Sequence, residues 1–253
     1  MRAISILSRA VSFGTLLAVA LAAPAPSRVK AQTAYPTRYV LRPLTLDRAM
    51  LRFDADAIYR HRAGPPDETF GLDAGLGIGI TRDFELGATF LPLQLAPDVD
   101  YLQPSFYVQG RFVRGTAEVA VRGSVMFPTN DAEHALFEVG LPILIHVGRV
   151  VRFDLGAFLQ LETTDPLGWW VRFPLGLTIN ATPRFFLGPY AGFRVRLDAR
   201  GQEIPVGFLA GYAIGGGTVH PVGDIGGQFQ FDDVTSTAGN WSLALVTRWF
   251  IYL

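Results

Sequence analysis

From Met50 to the last residue, apolar and polar side chains alternate at every second position, and this pattern constrains the fold more than any other feature. Leu51, Phe53, Ala55, Ala57 and Tyr59 fall on one side of an extended strand, and Arg52, Asp54, Asp56 and Arg60 on the other. Phe70, Leu72, Ala74, Leu76, Ile78 and Ile80 alternate with Asp73 and four glycines. Val151 to Glu162 and Trp169 to Asn180 repeat the pattern, with Phe158 as one large exception on the polar side. Side chains of a strand point to opposite faces in turn, so each segment has one greasy and one polar face. Beyond the N-terminus no run of about 18 apolar residues exists, so no transmembrane helix is available. Yet 49% of residues are hydrophobic, only 17% are charged, and mean hydropathy is +0.27. An apolar chain without apolar helices implies strands that turn one face to lipid. The expected fold is all-β, a closed antiparallel transmembrane barrel. A soluble sandwich would fill its polar face with Lys, Glu and Thr; here that face is Gly, Arg, Asp and Glu.

Twelve segments alternate in this way, at 50–60, 69–80, 84–95, 101–112, 116–127, 135–147, 150–162, 169–180, 185–197, 204–215, 222–231 and 241–253. Tight turns such as Thr81 to Asp83, Val113 to Gly115, Gly148-Arg149 and Ala181 to Arg184 belong to one rim. Longer loops, including Pro128 to His134 and Asp232 to Asn240, belong to the other. Such barrels carry short turns on the periplasmic side, which places both termini there. Pro92, Pro104, Pro142, Pro174, Pro189 and Pro205 fall inside the segments and delete ladder donors. They predict bulges or bends, or early strand ends and a count of ten.

Residues 1–31 read as a secretory signal. Arg2 and Arg9 precede an apolar stretch from Val11 to Ala23 that is too short to span a bilayer. Val29 and Ala31 suit cleavage after Ala31, with Ala22 as a second position. Residues 32–47 are polar, broken by Pro36 and Pro43, and read as a periplasmic lead-in outside or beneath the barrel. Residues 48–253 are the barrel.

The last strand presents Trp241, Leu243, Leu245, Thr247, Trp249, Ile251 and Leu253 on one face. Trp249, Ile251 and Leu253 resemble the C-terminal signature of bacterial outer-membrane β-barrel proteins, although Leu253 departs from the usual terminal Phe. The resemblance implies an outer-membrane location in a Gram-negative bacterium, lipid contact and delivery by the barrel-assembly machinery, without pointing to one family. Trp169, Trp170, Trp241, Tyr101 and Phe231 near the long loops, and Trp249, Phe84, Phe112 and Phe185 near the short turns, suit interfacial belts.

Twelve strands enclose a lumen wider than the side chains of an eight-strand barrel can fill. The inward positions carry basic Arg122, Arg152, Arg172, Arg194 and Arg196 among others, and acidic Glu118, Glu138, Asp154 and Glu162. One reading is a wall laced with salt bridges; another is a charged pathway for solutes. A tight turn at Ala181 to Arg184 sets Arg172 across from Arg194 and Trp170 across from Arg196. Like charges so placed need neutralising, and Glu162 is expected to be the nearest acid in the outer third of the lumen. A small anionic solute is another neutraliser, because the arginine fork suits carboxylate and phosphate. The glycine-rich faces either permit tight bending of the wall or leave room for a ligand or plug. No loop is long enough to fold into a plug, which favours an open lumen.

Other chemistries have little support. Ser124 lies near Glu138, and His146 sits eight residues and about 25 Å further along, so no catalytic triad forms. There are no cysteines and no closely spaced histidines, so no cofactor or metal is expected. A zero net formal charge excludes a nucleic-acid footprint. Three functions remain: a small passive porin-like channel, a non-conducting barrel that partners other envelope proteins through its lead-in segment, and a lipid-modifying enzyme.

Overall fold

The computed structural model describes residues 35–65, 67–130, 134–198, 201–215, 222–236 and 239–253. The signal segment, its cleavage site and His220 lie outside these residues. The described residues form twelve wall strands. They are β1 Met50–His61, β2 Glu68–Gly79, β3 in two pieces (Phe84–Thr89 and Leu93–Ala96), β4 Ser105–Val113, β5 Ala117–Met126 and β6 Leu136–Val147. They continue as β7 Val151–Glu162, β8 Gly168–Asn180, β9 Phe185–Arg196, β10 Val206–Ile214, β11 Val222–Phe231 and β12 Trp241–Tyr252. Each strand pairs antiparallel with its sequence neighbours. β1 also pairs with β12 over its full length, from Met50↔Tyr252 to His61↔Trp241. That closure leaves no edge strand, so the strands are paired on both sides except where prolines interrupt the ladder.

The prolines explain where the strands depart from the sequence segments. The third segment breaks around Pro92, and the chain there hands its bonds over sideways, with Leu102 N–H donating to Pro92 O at 2.7 Å. The fourth begins at Ser105 rather than at 101 because Pro104 precedes it, and the tenth begins at Val206 after Pro205. Pro142, Pro174 and Pro189 stay within strands and interrupt pairing on one side only. At Pro174, for example, the register with β9 runs through Pro174↔Gly192, while pairing with β7 skips from Arg172↔Phe158 to Leu175↔Leu155. The count of twelve survives.

The outer surface is a band of exposed apolar side chains: Val139 is 52% exposed, Leu175 49%, Leu243 51% and Leu245 53%. Of the C-terminal triplet, Ile251 and Leu253 face outward, and Trp249 lies flat over Gly223 on the adjacent strand. Thr247, on the same outer face, gives its hydroxyl proton to the Ala55 carbonyl at 2.9 Å. Its polar group is thus spent on the wall and not on lipid. The polar residues are inside, the reverse of a soluble protein.

A charge placed on the mid-strand outer face therefore loses water without gaining a partner. Leu245→Arg should lower the barrel's unfolding free energy by about 2–4 kcal/mol in lipid vesicles, measured by reversible urea unfolding.

Candidate functional site

The lumen contains part of the chain itself. Residues 35–49 run across the short-turn end of the barrel's interior, where Tyr35, Val40, Arg42, Thr45, Leu46 and Met50 are all at most 5% exposed. A short 3-10 turn, Tyr39–Leu41, lies in the middle of this segment. Ala49, held at φ 59°, turns the chain out of the lumen and into β1. This corrects the expectation of an open lumen, and it puts these residues within the barrel, where the expectation had the lead-in outside or beneath it. The plug is not a loop, and the loop lengths on which that expectation rested were no guide to it.

A segment buried in this way must satisfy its backbone groups, and the wall supplies the partners. Glu85 on β3 accepts the Leu46 N–H at 2.6 Å, and Glu118 on β5 accepts the Leu44 N–H at 2.9 Å. Asn180 on β8 accepts the Val40 N–H at 2.9 Å, and Gln109 on β4 donates to the Leu44 carbonyl at 2.6 Å. Arg152 on β7 donates to the Arg42 carbonyl at 3.1 Å, and His146 Nδ1 lies 2.6 Å from the Val40 carbonyl oxygen. Tyr252 donates to Asp47 at 2.9 Å, and Thr45 reaches the Arg82 carbonyl in a rim turn at 3.0 Å. Rings add to this, with Tyr35 stacked on Phe250 and Tyr39 on Phe186 at centroid separations of 4.6 and 4.4 Å. Tyr35, Leu46, Met50, Val222 and Phe250 form an apolar cluster. The segment is thus fastened to β2 through β9 and to β11 and β12.

The tightest link is Arg42 to Asp224 on β11. Both side chains are about 5% exposed, and both terminal nitrogens of the guanidinium engage both carboxylate oxygens, Nη2 to Oδ1 at 2.7 Å. The Arg42 guanidinium also lies 4.8 Å from the centre of the Phe250 ring and 5.5 and 5.6 Å from those of Tyr39 and Tyr35.

The glycine faces have a steric purpose. A Cβ on Gly79 would collide with the Asp47 carbonyl oxygen, and one on Gly77 would crowd Leu46, so these two glycines make room for the plug. Gly140 and Gly156 make room for the inward ring of Phe158, and Gly87 for that of Tyr107.

Of the predicted site residues, Glu118 and Arg152 are committed to the plug, and Asp154 pairs with Arg152 at 2.6 Å. Arg122 lies over the Tyr107 ring at 4.1 Å. The outer group assembles in the predicted register, Arg172↔Arg194 and Trp170↔Arg196. Its counter-ions differ from the predicted one. Arg172 pairs with Glu138 at 2.8 Å, Arg194 with Glu203 at 3.1 Å, and Arg196 with Asp198 at 3.0 Å. Glu162 forms none of these pairs, because Glu138 reaches from two strands away across the curved inner face. Trp170 turns inward and away from the interfacial belt, with Arg194 4.1 Å and Arg196 5.6 Å from its ring centre. Asp198, in the loop just beyond β9, is held below the usual carboxylate range chiefly by its hydrogen bonds from Arg196. Ser124 lies across from Glu138 and His146 across from Arg152, as the spacing implies.

Beside the plug is a cavity of about 400 Å³, lined by Asp54, Asp56 and Asp73 from β1 and β2 and by Arg122 from β5, among others.

No protein-family model matches the sequence, and no curated protein matches it. Solved structures match the fold. An outer-membrane channel from Pseudomonas putida F1 aligns at 10% identity and a TM-score of 0.57, over 81% of this chain and 96% of that one. The KdgM porin in complex with disordered oligogalacturonate aligns at 8% identity and a TM-score of 0.53, over 78% and 98%. The chain shares the closed antiparallel β-barrel fold of these outer-membrane proteins.

Removing one partner of a buried, bidentate ion pair strands the other and typically costs about 3–5 kcal/mol. Asp224→Ala should expose the plug, speeding tryptic cleavage after Arg38 and Arg48 in the detergent-folded protein while leaving the strands protected. Arg42→Met with Asp224→Leu, which leaves no stranded charge, should restore much of the protection.

Proposed function

We propose that this chain is a small passive channel of the outer membrane, with both termini periplasmic, an arginine-lined outer lumen, and an inner end closed by residues 35–49. The observation that carries the reading is the plug itself. Its backbone is held largely by single hydrogen bonds to wall side chains, each one a bond that water can replace, beside one ion pair and two ring stacks. Beside the plug the lumen also holds a cavity and ion-paired arginines.

The arginines position more than they attract. Partly exposed ion pairs contribute about 0–1 kcal/mol each, and Glu138, Glu203 and Asp198 cancel the charges of Arg172, Arg194 and Arg196. The outer lumen is thus close to neutral, and anion preference is weak. With residues 35–49 inside the barrel, the scaffold reading rests on the short turns as its contact surface.

Planar-bilayer recording tests both parts. The intact protein should open rarely, and Gly79→Val or Asp224→Ala should raise the open fraction several-fold. A barrel that stays silent in all three forms rules out the channel. In a salt gradient the intact pore should reverse near zero. Glu138→Gln with Glu203→Gln should shift reversal toward anion selectivity, and Arg172→Gln with Arg194→Gln toward cation selectivity.

A further inference from the structure

We infer that the wall around Asp224 is a guanidinium-binding site, now filled by the chain's own Arg42, and that solutes bearing a guanidinium open the channel by competing for it. The inference rests on the reading of residues 35–49 as a displaceable plug.

The site is complete as a site. Two parallel N–H···O contacts from Arg42 to Asp224 are the fork geometry that a planar guanidinium can make and an ammonium cannot. The Phe250 ring lies 4.8 Å from the guanidinium carbon, within cation–π range. Both wall residues are almost fully buried, Asp224 at 4% and Phe250 at 6% exposed. Arg248, the cross-strand partner of Asp224 in register, approaches Asp54 at 3.7 Å and leaves Asp224 to the plug.

The site is also reachable. Asp224 and Phe186 line a small second cavity of about 40 Å³, and Arg42 and Phe250 line the larger one. The latch therefore stands between two spaces. When Arg42 leaves, it takes Tyr35 and Tyr39 with it. Phe250, now stacked on Tyr35 and lying under the Arg42 guanidinium, and Phe186, now stacked on Tyr39 and lining a cavity with Asp224, then become free faces. An incoming guanidinium finds the same carboxylate fork and at least one free ring, so it replaces the lost pair and prevents the plug from closing.

Magnitude sets the working range. A tethered ligand acts at an effective concentration of about millimolar or above, so a free competitor must be supplied in that range. Solutes that carry several guanidiniums, such as short arginine-rich peptides, compete at lower concentration.

The test compares agmatine with cadaverine, two short dications that differ in the guanidinium. In planar bilayers, about 10 mM agmatine should raise the open fraction of the intact protein several-fold, and equal cadaverine should leave it unchanged. By calorimetry in detergent, agmatine should bind Arg42→Ala, whose site is vacant, and should not bind Arg42→Ala with Asp224→Asn. Equal responses to the two amines, or no agmatine binding to the folded Arg42→Ala protein, overturn the inference. Agmatine binding by Arg42→Ala in a barrel that never conducts would keep the site and overturn only the channel reading. If Arg42→Ala fails to fold, the comparison on the intact protein still decides.

Discussion

Hydrocarbon offers a peptide group no hydrogen-bond partner, and the rest of this structure follows from that one fact. Each unsatisfied amide would cost several kcal/mol, so the strands must pair on both sides and the sheet must close. The seam between β1 and β12, twelve residue pairs long, meets that demand. It also forces alternate side chains into two different solvents. The outer set can be greasy without penalty. The inner set faces a narrow space where every charge needs a partner.

The inner set solves its problem twice over. Toward the long loops, carboxylates of the wall and loops neutralise arginines that pack on Trp170 and Phe158. Toward the short turns, the partners are backbone groups of the chain's own leading segment. Carboxylates of Glu85 and Glu118, already bonded within the wall by Tyr107 and Arg111, use their remaining acceptor capacity on the N–H groups of Leu46 and Leu44. Plug and wall thus fit each other: the buried segment needs hydrogen-bond partners, and the wall's inner side chains supply them. The same mutual dependence makes the closure sensitive to single side chains, with Arg42 and Asp224 foremost.

Most of the wall was legible in the sequence, because strand periodicity depends only on neighbours along the chain. The register Arg172↔Arg194 followed from one tight turn. The breaks at Pro92, Pro104 and Pro205 were legible as trouble but not as positions, since whether a proline ends a strand depends on which side its missing N–H would have faced. The counter-ions were misread for a different reason. Glu162 faces Gly168 on the adjacent strand, four residues from Arg172, whereas Glu138 reaches Arg172 across β7 on the concave inner face. The importance of Asp224 was not legible at all. It is one acid between glycines on a strand, and its partner lies 182 residues earlier in a stretch with no strand pattern.

By itself the sequence determined the alternation of outward and inward faces and which rim carries the short turns, and it narrowed the strand count to twelve or ten. These follow from local alternation and turn chemistry. Only the tertiary structure decided that residues 35–49 fill the lumen, that Gly77 and Gly79 are spaces for them, and that Arg42 rests on Asp224. Those outcomes depend on curvature and on the meeting of distant segments inside a closed ring, a geometry that exists only once the first strand has found the last.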